Sequence, residues 1–197
     1  MYPHLVDAIY KHTPEHGQRA IENGQRFEVE GASIRAVHTP GHSHDHVSFV
    51  LDGHGMFTGD NILGHGTSAV EELNVYMNSL RKMDTFNCVL GFPAHGAVIP
   101  NLHVKIMNEL AQKTRREKQV LAQLGLLKQE ARESSGRQIA SVTVKELVIA
   151  MHGEGVDEEV RVLALEPFAD EVLRKLAKDH KVAFEKRKGE KRWFALD

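Results

Sequence analysis

With a single cysteine, Cys88, the sequence has no internal disulfide to make, which fits a reducing, intracellular and cytoplasmic setting. It contains no apolar run of bilayer-spanning length. The opening residues, Met1-Tyr2-Pro3-His4, lack the basic-then-apolar arrangement of a secretory leader. A formal net charge of -2 leaves no global excess that would draw the chain to nucleic acid or an anionic membrane. With 41% hydrophobic and 26% charged residues, the composition argues against long-range disorder. A chain of 197 residues suffices for one domain, or for one domain and a small module.

Histidine is unevenly spread. Of 13 histidines, only His152 and His180 lie beyond residue 104. Neutral imidazole is the commonest metal ligand near neutral pH, so chemistry is expected in the first half.

The first 24 residues are polar and punctuated by Pro3, Pro14, Gly17 and Gly24; they read as a short helix over Leu5 to Tyr10 followed by loop. From Arg26 the pattern alternates. Phe27 and Val29, then Ile34 and Ala36, predict two strands joined at Glu30-Gly31-Ala32. Further strands are expected over Val47 to Leu51, from Gly55 to Gly59 and over Cys88 to Phe92, with Cys88 as a small core residue. Leu73, Met77 and Leu80 give 71–83 helical spacing, and a long helix is expected from about Val104 to Glu133, carrying a basic Lys113-Arg115-Arg116 cluster. A linker at Glu133 to Gly136 sets an expected boundary between domains 1–136 and 137–197. In the second domain, helices over Val144 to Met151 and Glu171 to Asp179 precede strands over Val182 to Lys186 and Arg192 to Leu196, the order of a winged helix.

Three segments carry the candidate chemistry: His38-Thr39-Pro40-Gly41-His42-Ser43-His44-Asp45-His46, Phe57-Thr58-Gly59-Asp60 and Phe92-Pro93-Ala94-His95-Gly96. Each sets a histidine or aspartate beside a glycine in a loop directly after an apolar strand. Strand ends hold ligands rigidly, and glycine lets several loops converge. Imidazoles with one carboxylate are what a catalytic zinc site uses, and a carboxylate can bridge two ions.

Thr-Pro-Gly-His, a later Gly-Asp and a later Ala-His-Gly, in this order among strands, resemble the last three ligand motifs of the metallo-β-lactamase superfamily. The segments Asp60 to Thr67 and Tyr76 to Met83, Arg115-Arg116-Glu117 and the trailing helix-and-hairpin module resemble one branch of it. That branch holds fungal acyl-carrier-protein thioesterases of polyketide clusters and lactamase-like endoribonucleases; Asn61 to Thr67 and Gly91 to Gly96 look closer to the thioesterases. The resemblance implies an α/β fold, the metallo-β-lactamase αβ/βα sandwich, here lacking its N-terminal part and followed by a small winged-helix-like domain. It implies a zinc-dependent hydrolase, with two Zn²⁺ per site, that releases an acyl thioester from the carrier protein of a polyketide synthase. His42, Asp60 and His95 correspond to metal ligands, with Asp60 bridging; His46 and His65 are expected to support a ligand or meet substrate.

The family's first motif, His-x-His-x-Asp-His, is not found in these 197 residues. Three ligand positions remain for two ions, which implies N-terminal truncation relative to the family and no assignable catalytic acid. An endoribonuclease acting on single-stranded RNA, and a non-catalytic remnant that docks or forms a homodimer, stand as alternatives. Outside the motif set, Asp45 is expected to hold its own loop, His54 to sit exposed in a turn, and His12 and His16 to lie in a solvated loop. The basic residues Lys186 to Arg192 are offset by Glu154 and Asp157 to Glu159, which suits a solvated face.

Overall fold

The computed structural model describes residues 9–52, 54–135 and 140–196. The chain divides into two compact units, Met1–Leu110 and Ala111–Asp197.

In the first unit, Tyr10–Lys11 (β1) and Arg19–Ala20 (β2) form a short parallel pair where loop was expected. The expected helix over Leu5 to Tyr10 lies mostly outside the described residues, and Tyr10 itself belongs to β1. The alternation that begins at Arg26 becomes the expected hairpin of β3 (Arg26–Val29) and β4 (Ala32–His38). It turns at Gly31, whose φ of 80° suits a residue without Cβ. β5 (Val47–Leu51) and β6 (Gly55–Gly59) continue the antiparallel run over the expected spans. After α1 (Leu73–Asp84), β7 (Leu90–Pro93) returns parallel to β6, giving a five-stranded sheet in the order β3-β4-β5-β6-β7. Cys88 falls just before β7 and is half-buried, not a core residue.

Alternation decides which face is covered. Ser48 and Val50 of β5 and Met56 and Thr58 of β6 are buried, whereas Phe49 and Leu51 are half-buried and Phe57 is exposed. α1 packs on the buried face through Leu73, Tyr76, Met77, Leu80 and Met83, a helical stripe worth about 1.5–3 kcal/mol per large apolar side chain. The other face carries aromatic contacts: Tyr10 on Phe27, Phe27 on Phe49, and Phe57 on Phe92, with ring centroids 5.0, 6.4 and 5.2 Å apart.

α2 (Leu102–Ser135) crosses from one unit into the other, so the division at 110/111 lies upstream of the expected 136/137. Glu133 to Ser135 continue this helix rather than starting a linker, and Gly136 is outside the described residues. Lys113 departs from the expected basic cluster: it is buried, with its ammonium 5.6 Å over the Phe168 ring. Within the second unit, Glu117 is likewise buried and pairs with Lys175 at 2.9 Å.

α3 (Val144–His152) starts with a complete capping box, in which the Thr143 hydroxyl accepts the Glu146 N–H and the Glu146 carboxylate accepts the Thr143 N–H. The next helix begins well before the expected Glu171. Asp157 caps α4 (Glu158–Val160), a π-helical turn covers Arg161–Leu165, and α5 runs over Glu166–Lys178. The early start rests on charge: the buried Arg161 guanidinium binds Glu158 at 3.2 Å and also Glu166, a pairing that apolar periodicity does not register. β8 (Val182–Arg187) and β9 (Glu190–Ala195) form the expected hairpin, turning through Lys188 and Gly189 at φ 52° and 84°. Trp193 is buried on β9 and bridges to Val142. Among the described residues no helix is long and apolar enough to cross a membrane.

Three substitutions test this packing. Gly41 has φ 131°, and a Cβ there would lie 2.3 Å from the Tyr76 Cα. Gly41→Ala is expected to destabilise the first unit by about 3 kcal/mol or more in a urea titration. Gly66→Ala, at φ 67° with nothing within 4 Å of the new Cβ, should cost only about 1 kcal/mol. In the second unit, Thr143→Ala removes the capping box and is expected to lower stability by about 1 kcal/mol, read as a shift in the urea midpoint.

Candidate functional site

Strand direction gathers the candidate residues. β5 is antiparallel to both β4 and β6, and β7 is parallel to β6. β4, β6 and β7 therefore run the same way, and the loops that leave their C-terminal ends emerge at one edge of the sheet. His42 lies four residues beyond β4, Asp60 directly follows β6, and His95 lies two residues beyond β7. Crevices outside the carboxyl ends of parallel strands are the usual ligand sites of α/β sheets.

At this edge Asp60 is the hub. Its Oδ1 is 3.6 Å from His95 Nε2, and its backbone N–H donates to His46 Nε2 at 3.2 Å. The His42 and His46 rings stand edge to face, 6.1 Å between centroids. The structure thus brings His42, His46, Asp60 and His95 into one neighbourhood. His65 is exposed on the loop between β6 and α1. That loop is tied to the His95 loop by the Gly64 N–H, which donates to the His95 carbonyl at 2.9 Å, and a Cβ at Gly64 would meet the Ala97 carbonyl oxygen at 2.1 Å.

The four inner side chains are held very differently. His42 Nδ1 lies 2.9 Å from the Ala69 carbonyl oxygen and 3.1 Å from Ser68 Oγ. A carbonyl only accepts, so Nδ1 carries the proton and Nε2 keeps its lone pair free. His46 has both nitrogens occupied, one by the Asp60 amide and the other by Thr39 Oγ1 at 3.0 Å. Burial, helped by the nearby His42, pushes the His46 imidazole below its ordinary pKa. The Asp60 side chain is 39% exposed and that of His95 70%, so this pair faces solvent.

Beneath the loops lies a polar layer that sequence reasoning missed. Asn61, wholly buried, donates from Nδ2 to the Thr39 carbonyl at 2.6 Å, and its backbone carbonyl accepts the Tyr76 hydroxyl at 2.7 Å. Ser79 Oγ donates to the Pro40 carbonyl at 2.6 Å. The Gly41 carbonyl accepts the Glu71 N–H at 2.8 Å, just ahead of α1. The available signal was adjacency: Thr39 and Asn61 flank the ligand motifs, and Tyr76 and Ser79 lie on the helix between them.

Among the other histidines, His38 stacks on His12 with centroids 3.8 Å apart, so His12 is packed rather than solvated. His16 and His54 are exposed, as expected. Asp45 accepts from Ser43 at 2.8 Å and from Thr13 at 3.1 Å, which fits a loop-holding role and holds its carboxyl below the usual range.

For a zinc ion the donors fit in kind and fall short in arrangement. His42 Nε2, the Asp60 carboxylate and His95 Nε2 are suitable atoms, and three protein ligands with a place kept for water is the usual set of one catalytic zinc. Among the described residues no group of three histidine, cysteine, aspartate or glutamate side chains is arranged to hold a metal ion. These residues do not close an ion site by themselves.

No family model matches the chain. It is 65% identical, over all 197 residues, to the atrochrysone carboxyl ACP thioesterase AacuM of Aspergillus aculeatus, covering 62% of that protein. It is 62% identical to the atrochrysone carboxyl ACP thioesterase AgnL7 of Paecilomyces divaricatus, again across its full length and 62% of that protein. The chain thus spans about 62% of the length of these curated relatives. Among solved structures, a metallo-β-lactamase family protein from Thermus thermophilus superposes with a TM-score of 0.66 at 19% identity, over 94% of this chain and 56% of that one. Throughout its length, therefore, the chain is a homologue of proteins named atrochrysone carboxyl ACP thioesterase, and its fold is that of metallo-β-lactamase proteins.

Proposed function

We propose that this chain carries the latter part of a metal-dependent hydrolase that releases an acyl group from a carrier protein in polyketide biosynthesis. One observation carries the proposal: three loops of a chain 65% identical to a protein named for this activity bring two imidazoles and a carboxylate to one sheet edge. His42 Nε2, Asp60 and His95 are proposed as zinc donors; because no three such side chains are arranged to hold an ion among the described residues, further ligands from outside them are part of the proposal.

Thioester hydrolysis adds water to the acyl carbonyl and releases a carboxylic acid and the carrier thiol. A bound zinc ion would polarise that carbonyl or lower the pKa of the water. The chain's own residues set where this happens. Asp60 and His95 present polar atoms at the exposed rim, while His42 holds its free nitrogen in place through the Ala69 carbonyl. The helix, helix and hairpin order of the second unit supports a winged-helix module, proposed here as the part that docks the carrier protein.

The test is metal content with thioesterase activity. After dialysis against excess zinc, elemental analysis of the chain is expected to find zinc that is lost in His42→Ala and Asp60→Ala, up to about two ions per chain if other donors complete the site. Hydrolysis of an acyl N-acetylcysteamine thioester should fall at least about 100-fold in the same variants, the scale on which removal of an electrostatic catalytic group is felt. Zinc below about a tenth of an ion per chain, with no hydrolysis above the buffer rate, would leave the chain without this activity on its own.

A further inference from the structure

His46 is the last residue before β5, and its imidazole sits under the Asp60 backbone. The Asp60 N–H can only donate, so His46 Nε2 at 3.2 Å must accept. In a neutral ring the proton then lies on Nδ1, which faces Thr39 Oγ1 at 3.0 Å. Thr39 Oγ1, accepting that proton, turns its own hydrogen to Ser48 Oγ at 2.9 Å, and the Ser48 hydroxyl points at Met83 Sδ at 4.0 Å. Thr39 and Ser48 are completely buried. With water excluded, the direction of the whole chain of donors is dictated by the single amide at its head.

The backbone is shaped to admit this ring. Gly59 has φ 54°, and a Cβ at that position would lie 2.5 Å from His46 Nε2. The turn from Gly59 into Asp60 thus keeps the place of the imidazole clear of any Cβ. Asp60 in turn aims its carboxylate at His95.

We infer that His46 is a positioning residue, locked as the Nδ1–H tautomer, which fixes the Asp60 backbone and through it the direction in which the Asp60 carboxylate meets His95. The purpose of this device rests on the hydrolase proposed above; its geometry does not.

The experiment therefore needs no metal and no substrate. In the full chain labelled with ¹⁵N-histidine, a long-range ¹H–¹⁵N spectrum is expected to show His46 with a protonated Nδ1 and an unprotonated Nε2. The Nε2–H tautomer, or a ring averaging between both forms, would overturn the inference. Two variants separate positioning from packing. In His46→Gln the side-chain carbonyl reaches the place of Nε2 and can accept the Asp60 N–H, whereas in His46→Asn the amide nitrogen takes the place of Nδ1 and leaves Asp60 unmet. Hydrogen exchange at the Asp60 amide should stay close to that of the parent chain in Gln and accelerate about tenfold in Asn, the loss of roughly one hydrogen bond. Equal acceleration in both would mean that the ring acts by shape alone. Should the variants fail to fold, the tautomer in the parent chain decides. Absence of zinc would leave the chain without hydrolase activity on its own and leave these readouts untouched.

Discussion

The parallel return of β7 onto β6 through α1 is the constraint on which the candidate chemistry of the first unit depends, because it makes β4, β6 and β7 run in one direction. A parallel pair needs a crossover, and here that crossover is a 12-residue helix lying over the buried face of the sheet. Had β7 joined as another antiparallel hairpin, its C-terminal end would have faced away from those of β4 and β6, and His95 would stand at the opposite edge from Asp60. The same helix supplies Tyr76, Ser79 and Met83, which receive the loops from below. Core packing and site assembly are therefore one event: the apolar stripe that docks α1 also delivers the polar groups that shape the loops.

Burying Thr39, Ser48, Asn61 and Tyr76 under a site is expensive unless each group is met. Most of the layer is: Asn61 Nδ2, the Thr39 hydroxyl, the Tyr76 hydroxyl and Ser48 Oγ all have partners. Asn61 Oδ1 is buried without one. Such a layer contributes less to stability than apolar packing of the same volume, but it tolerates few alternative arrangements. That trade suits a place where loop geometry matters more than the last kilocalorie.

Much of this was legible in the sequence. Period-two alternation in Phe27 to Leu51 and helical spacing in Leu73 to Leu80 fix one face of each element, and the strands and α1 appear close to where those patterns put them. The glycine-flanked motifs put His42, Asp60 and His95 after strands, and the sheet topology then brings them to one edge. What escaped depends on contacts rather than period. β1 and β2 are two-residue strands, too short for any alternation. The π-helical turn is held by Arg161 between Glu158, at ordinary helical spacing, and Glu166, five residues on and off that spacing. Lys113 shares the helical register of the buried Ile106, Val120 and Leu124, so its spacing pointed inward and only its charge suggested otherwise.

Within the site, the residues differ in how far the protein alone has fixed them, and this orders their roles. His42 is oriented by the Ala69 carbonyl and Ser68, so its free nitrogen points where it does before any ligand arrives. Asp60 is held from behind, through its backbone amide, which leaves the carboxylate oxygens open toward the rim. His95 stands 70% exposed and meets Asp60 at 3.6 Å, longer than a good hydrogen bond. His42 and Asp60 are thus presented on prepared supports, and the His95 side chain is largely exposed. If the three hold a ligand as proposed, its orientation would come chiefly from His42 and Asp60, the two already fixed. In such a gradient of preorganisation, weakening the supports under His42 or Asp60 does more harm than loosening His95, because the adaptable member already sacrifices conformational entropy on binding.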